Sequence, residues 1–427
     1  MNCMKKVFIL SAIITMLFLS AFILPQPKTA KRYLITDFGA KGDSLTLNTK
    51  AIQAAIEQCA AKGGGVVVVP KGIFISGALF LKKGVNLEIE KGGVLKGSIN
   101  PEDYPQIPTR WEGEEKTWTS AFINANDLNG VTISGEGTID GSGDIWTARA
   151  LKARAEGNVN PIRVGRPRLI CFQNCKNATI ANLNLHNQAV WCLHVLYSDH
   201  VLVQNLKISA DHNIPSSDGI DIDSSTDVHI TGCDIDVNDD CISIKSGKDE
   251  DGLRVNRPSK NILIDKSRFG YGHGGVAMGS ETSGGISEVT VDNCVMEAGN
   301  WAPIRFKSQP SRSGVVENIT YKNIKLNQTG KAFEFNMAWR MVPPIKPPAK
   351  VLPVVKNIKL INISGTVKNV GDMSGLSGSP IQNVSFVNCN ITAEKGFILK
   401  DVKDVDLSGL KLTVKQGQPI INQDEVK

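Results

Sequence analysis

A nine-residue phrase recurs from Asn177 onward: a polar residue, an apolar one, any residue, an apolar one, two mostly polar residues with Asn or Gly second, then a small apolar residue, any residue and an apolar one. The copies read NATIANLNL from Asn177, HVLVQNLKI from His200, DVHITGCDI from Asp227, NILIDKSRF from Asn261, EVTVDNCVM from Glu288, NITYKNIKL from Asn318, NIKLINISG from Asn357, NVSFVNCNI from Asn383 and DVDLSGLKL from Asp404. Each copy alternates with period two, turns at Asn or Gly and alternates again, the pattern of two short strands around a tight corner. Such a unit cannot bury its apolar face alone. Stacking each copy on the last buries it and pairs every strand. The expected fold is therefore an all-β, right-handed, single-stranded parallel β-helix. The spacing between copies varies, which suits loops bulging from the corners of a solenoid better than the blades of a propeller.

The slot after the corner holds Leu183, Leu206, Cys233, Ser267, Cys294, Ile324, Ile363, Cys389 and Leu410. Cysteine shares that column with Leu and Ile, so Cys233, Cys294 and Cys389 read as small core hydrophobes rather than disulfide partners or reactive thiols. The corner asparagines read as turn formers whose amides bond up and down the stack. No CxxC pair or Cys/His cluster of zinc spacing exists, and no metal or other cofactor is expected.

Ahead of the repeats, Asn48 to Lys62 reads as a helix with Asn48 or Thr49 as cap, an apolar face of Ile52, Ala55, Ile56 and Cys59, and Gly63 to Gly65 as its stop. Laid across the first coil, it would cover the open end of the solenoid. Residues 141–168 and 337–353 read as long, low-periodicity loops and candidate groove walls. Residues 1–30, with Lys5 and Lys6 before the apolar run Val7 to Leu24, read as a signal peptide, with an uncleaved N-terminal anchor as the competing reading. That leaves 31–427 as a single β-helix catalytic domain, exported to the periplasm or medium. The net charge is only +6 and no basic stripe is interleaved with aromatics. This excludes nucleic acid as the expected partner; a monomer is expected.

A second strand in successive coils aligns on its first apolar residue: SSDGIDID on Ile220, NDDCISIK on Ile242, HGGVAMGS on Val276, WAPIRFKS on Ile304 and KAFEFN on Phe333. In this register Asp218 and Asp240 share a column, and Asp239 shares the preceding one with His273. Asp221, Ser243, Ala277 and Arg305 share another, as do Asp223, Lys245, Gly279 and Lys307. Coils stack at about 4.8 Å, so a column brings its residues together. Carboxylates, an imidazole and two cations should converge on one patch. Crowded carboxylates raise at least one pKa, giving the protonated acid and the ionised base that glycoside hydrolysis needs. Arg305 and Lys307 suit an anionic substrate.

Other uses compete at several positions. Asp223 reads equally as solvated surface or a turn cap, and Asp221 as a structural hydrogen-bonder. Asp218, Asp221, Asp223, Asp239 and Asp240 are also oxygen ligands of the kind calcium takes. Lys245 and Glu281, candidate substrate-binding residues, serve equally as an ordinary salt bridge. Trp191, Trp301 and Trp339 are candidate sugar platforms, against core or loop packing as the commoner use. The glycines flanking His273 point to a close approach to the backbone.

SSDGID, NDDCISIKSG, GHGG and RFKS, in this order and spacing, resemble the four signature segments of glycoside hydrolase family 28, the polygalacturonases. The opening stretch from DFGAKGD to GGGVVVVPKGIF resembles the start of the same family. The resemblance implies hydrolysis of α-1,4-linked galacturonan with inversion, so the implied partner is an acidic plant cell-wall polysaccharide or oligosaccharide. It also implies Asp239 as general acid, Asp218 and Asp240 as the pair holding the attacking water, His273 as support for the acid, and Arg305 and Lys307 as carboxylate-binding residues. Ser216 and Ser217 stand where the family commonly has Asn-Thr. His273 and the Arg-x-Lys pair favour galacturonan over rhamnogalacturonan. GHGGVAMGSETSGG looks more like the exo-acting bacterial members than the fungal endo enzymes. A calcium-dependent pectate lyase with Arg305 as base and a non-catalytic glycan-binding β-helix are the alternatives.

Overall fold

Asparagine tolerates the left-handed backbone region better than other non-glycine residues, because its short amide can bond locally. The repeats exploit this at both corners of each phrase. Asn318 and Asn323, Asn357 and Asn362, and Asn383 and Asn388 all have φ between 52° and 59°. An amide both donates and accepts, so stacked corners link into ladders. Asn388 donates to Asn362 at 2.8 Å and Asn362 to Asn323 at 2.9 Å, while Asn383 donates to Asn357 at 2.7 Å and Asn357 to Asn318 at 2.9 Å.

The computed structural model describes residues 30–157, 165–340 and 346–424. The leader reading for 1–30 therefore falls outside the described residues, except Ala30. Arg32–Lys427 is one unit built on a right-handed parallel β-helix. The middle coils have three strands rather than the two that the phrase suggests, while Val315–Asn336 and Val354–Ser374 each run on as one continuous strand. Thr226–Thr231 and Asp234–Asp236, for example, are the two halves of one phrase, and Ile220–Asp223 precedes them as a third. Each pairs in parallel with its counterparts in the coils before and after. The acid-bearing strands thus form their own sheet.

Inside, the slot after the corner is a buried column, with Cys233, Cys294 and Cys389 beside Leu206, Ile324 and Ile363. Ser267 is accommodated because its hydroxyl accepts from the Cys233 amide and donates to the Asp265 carbonyl. All eight described cysteines are buried and unbridged.

The capping helix spans Thr49–Ala61 and buries Ile52, Ala55, Ile56 and Cys59 against the first coil. Asn48 occupies the cap position, but its side chain bonds to Lys41 and Thr46 instead of the helix amides. Two features depart from the sequence reading. Residues 143–155, expected as loop, are a helix whose apolar stripe is only Trp146 and Ala150. An antiparallel hairpin, Gln106–Trp111 with Glu114–Thr119, turns at Glu112 and Gly113, both at positive φ as a two-residue hairpin loop requires. Among the described residues no helix is long and apolar enough to cross a membrane.

Candidate active site

The acid-bearing strands stack in one register: Ile220 pairs with Ile242, Ile242 with Val276, Val276 with Ile304 and Ile304 with Phe333. This is the alignment read from the sequence. It brings one carboxylate oxygen from each of Asp218, Asp239 and Asp240 within 4.8 Å of the others. Asp240 is fully buried, accepting from Arg305 Nη1 at 3.0 Å and Lys307 Nζ at 2.5 Å. Arg305 is anchored from behind by Glu334, its Nε donating to Oε2 at 2.7 Å. Asp239 differs: its side chain is 25% exposed, and its Oδ1 lies 3.4 Å from His273 Nδ1. Trp339 lies over the cation pair, its ring centre 4.6 Å from the Arg305 guanidinium carbon.

Glycine beside His273 makes room for the protein's own site. A Cβ on Gly274 would sit 2.5 Å from Asp240 Oδ1 and 3.2 Å from Arg305 Cδ, so a side chain there would break the pair. Ser217 is buried, its hydroxyl accepting from the Asn238 amide. It thereby tethers the strand bearing Asp218 to the loop leading into Asp239.

Lys245 and Glu281 lie in the wall, both nearly fully buried. Lys245 Nζ is 3.4 Å from Asp221, 3.5 Å from Glu281 and 4.0 Å from Asp218, and it lies over the Trp191 ring. Their charges face each other rather than the open groove. Asp223 is not solvated: it is fully buried 2.8 Å from Arg110 Nη1 and 3.7 Å from His194 Nε2. Arg110 comes from the hairpin, which also brings Trp111 and Trp118 to stack and packs Trp111 on the buried Trp191. The sequence reading missed this element, although TRWEGEEKTW carries its signal: alternating residues around a two-residue turn containing Gly.

The electrostatics separate the three acids. Burial, reinforced by Asp221 and Asp239, pushes the Asp218 carboxyl well above the usual range, which favours its protonated form. Burial also acts on Asp239, but the His273 hydrogen bond and the charges of Lys307, His273 and Arg305 outweigh it and hold the carboxyl low. Asp240 is likewise lowered, since Lys307 and Arg305 overcome its burial. The bond to Asp239 raises His273 against the opposing effect of burial. Asp221 is pushed up to about 7, chiefly by burial with Lys245 opposing. Three oxygens this close would also suit a cation, but Arg305, Lys307 and His273 already supply positive partners to Asp240 and Asp239.

A protonated and an ionised carboxylate side by side on a solenoid face can do acid–base work on a glycosidic bond. The class is that of β-helical glycoside hydrolases. The chain belongs to the glycosyl hydrolases family 28, whose model matches residues 59–410. It is 30% identical over 369 residues to a probable polygalacturonase of Vitis vinifera, covering 84% of this chain and 73% of that one. It is also 30% identical over 377 residues to an endo-polygalacturonase of Pectobacterium carotovorum, covering 85% and 88%. The crystal structure of a hyperthermoactive exopolygalacturonase from Thermotoga maritima superposes with a TM-score of 0.73 at 27% identity, over 88% of this chain and 92% of that one.

Proposed function

We propose that the chain is an exo-acting galacturonase that hydrolyses α-1,4-linked galacturonic acid with inversion. The observation that carries this reading is the Arg305–Lys307 pair, which holds a carboxylate beside the one partly exposed acid of the trio, Asp239. A sugar bearing its own carboxylate matches that pair. Asp239, the acid open to the groove, protonates the leaving oxygen, and Asp218 and Asp240 hold the attacking water, whose proton passes to Asp218 after Asp218 has given its own proton to Asp239. Two hydrogen bonds of about 2.8 Å meeting at a tetrahedral angle span about 4.6 Å, which agrees with oxygens no more than 4.8 Å apart. The acid Asp239 lies within the same 4.8 Å of both, closer than the roughly 6.5–9.5 Å usual between acid and base in inverting enzymes, so the anomer of the product is the test of inversion.

Asp239 must carry a proton when the bond breaks. The arriving sugar carboxylate draws Lys307 and Arg305 toward itself and adds negative charge, and both effects raise the Asp239 pKa. Substrate binding thus loads the acid, with protonated Asp218 as the adjacent proton source. Arg305 is a poor base for the lyase alternative. Burial would lower its pKa, but Asp240 and Glu334 outweigh burial and keep it charged.

The exo assignment is supported by two walls. Arg166, on the segment returning from the 143–155 helix, donates to the Pro215 carbonyl just ahead of Asp218, and Trp339 begins the second long loop over Arg305. Lys5, Lys6 and the apolar run behind them support export to where plant polysaccharide is met. The test is incubation with defined oligogalacturonides. Exo action with inversion gives a single short product from the outset, in the β-anomeric form by proton NMR. A spread of sizes means endo action, an α-anomer means retention, and an ultraviolet-absorbing product means a lyase.

A further inference from the structure

The column that contains Asp239 and His273 does not stop at the catalytic coils. His273 stands opposite Trp301, between the pairs Gly272–Asn300 and Gly274–Ala302. Trp301 is three residues before Ile304 and Gly330 three before Phe333, and these two strands pair at Ile304–Phe333. Gly330 in turn stands opposite Lys368, between the pairs Thr329–Val367 and Lys331–Asn369. One file therefore runs Asp239, His273, Trp301, Gly330, Lys368 along the face of the solenoid.

We propose that Trp301 and Lys368 form a subsite for an acidic sugar beyond the catalytic coil, an inference that rests on the galacturonan reading. Trp301 is 46% exposed, whereas the other five tryptophans are buried or half-buried. Among the described residues no aromatic ring or cation covers it. Its ring lies across the next coil: a Cβ on Gly330 would be 2.6 Å from Trp301 Cε3. The indole is thus seated on bare backbone with its other face free, as a platform for a pyranose ring needs. Tyr271, braced by a stack on His212 at 3.8 Å, joins Trp301, His273 and Lys368 in lining a pocket of about 390 Å³. Lys368 is exposed and has no ion pair among the described residues. Its backbone lies two coils past that of Trp301, about 10 Å at about 4.8 Å per coil, and the indole laid over Gly330 spans part of that distance. A uronate ring on the indole places its carboxylate within reach of that ammonium; a neutral sugar would use the indole alone.

The test measures oligogalacturonides of increasing length and their methyl esters against the full chain, by steady-state kinetics and by tryptophan fluorescence. In the wild type, KM falls as the oligomer grows long enough to reach Trp301. Trp301→Ala removes that length step, raising KM for long oligomers about tenfold, and Trp301→Phe restores most of it. Lys368→Gln weakens the acids several-fold while leaving the methyl esters as they were. Variants that keep the length step, on oligomers the wild type cleaves, overturn the subsite and leave the galacturonase standing. Wild-type protein that binds the oligomers with Trp301-dependent quenching but cleaves none overturns the galacturonase and keeps the subsite. An effect of Trp301→Ala with none of Lys368→Gln overturns the requirement for an acidic sugar. Neither binding nor cleavage overturns both.

Discussion

Asp239 and Asp240 are neighbours in sequence yet have opposite surroundings, and the difference lies in what each side chain meets. Asp240 points inward onto two cations, whereas Asp239 points outward beside an imidazole. If Asp239 is the acid, Asp239→Asn lowers kcat by about 10²–10⁴-fold with the fold intact by circular dichroism. Retention of full turnover would sink the assignment. The His273–Asp239 pair also has a definite pH signature. His273 is raised, so its contribution is fully present below its unfolded pKa, near 6.5, and is lost as pH rises through the raised value. Asp239 and Asp240 are lowered, so theirs is present above about 4 and is lost as pH falls through their depressed values. His273→Gln removes a positive charge from Asp239, raising that carboxyl's pKa. Its pH–rate profile is expected to show a lower kcat with the alkaline limb moved to higher pH. An unmoved limb would reduce His273 to a surface residue.

The hairpin is the element on which the wall behind the acids depends. It inserts Arg110 fully buried against Asp223 and closes its turn on Gly113, where a Cβ would meet Lys248 Cβ at 2.5 Å. Arg110→Met leaves Asp223 charged in the interior without its cation, with only His194 and Ser224 beside it, which costs about 3–5 kcal/mol, read as a lower denaturation midpoint. The double variant Arg110→Met/Asp223→Leu should recover part of that loss, since both charges of the pair are removed together; equal losses in both would show that packing, not charge, sets the effect. The capping helix was legible because its apolar face repeats every three to four residues. The 143–155 helix was not, because two buried apolar positions, Trp146 and Ala150, make too narrow a stripe to register. Asp223 was misread for a related reason: its partner Arg110 lies 113 residues away on an element outside the repeat.

At the scale of the whole molecule, a solenoid's stability is a sum of coil and nearest-neighbour terms, so its ends and its active face are separable. Ending the chain at Lys400 removes Val402–Asp406 and Leu410–Asn422, the last strands of the stack. The expected result is a lower unfolding temperature with kcat on oligogalacturonides unchanged, and a loss of kcat in a folded truncation would show coupling along the stack. The columns were readable from sequence because a β-helix converts sequence offset into spatial position: once coils are in register, residues at matching offsets must lie one above another. Asp218 over Asp240 and Asp239 beside His273 followed from that rule alone. Sequence could not show that Asp240 already occupies Arg305 and Lys307, that Lys245 is shared among Asp218, Asp221 and Glu281, or that Trp301 lies bare while Trp191 is covered. Those facts depend on rotamers, on which loop folds back over which coil, and on how far each group is removed from water. The repeat fixes none of these; they arise only when the coils and their insertions pack.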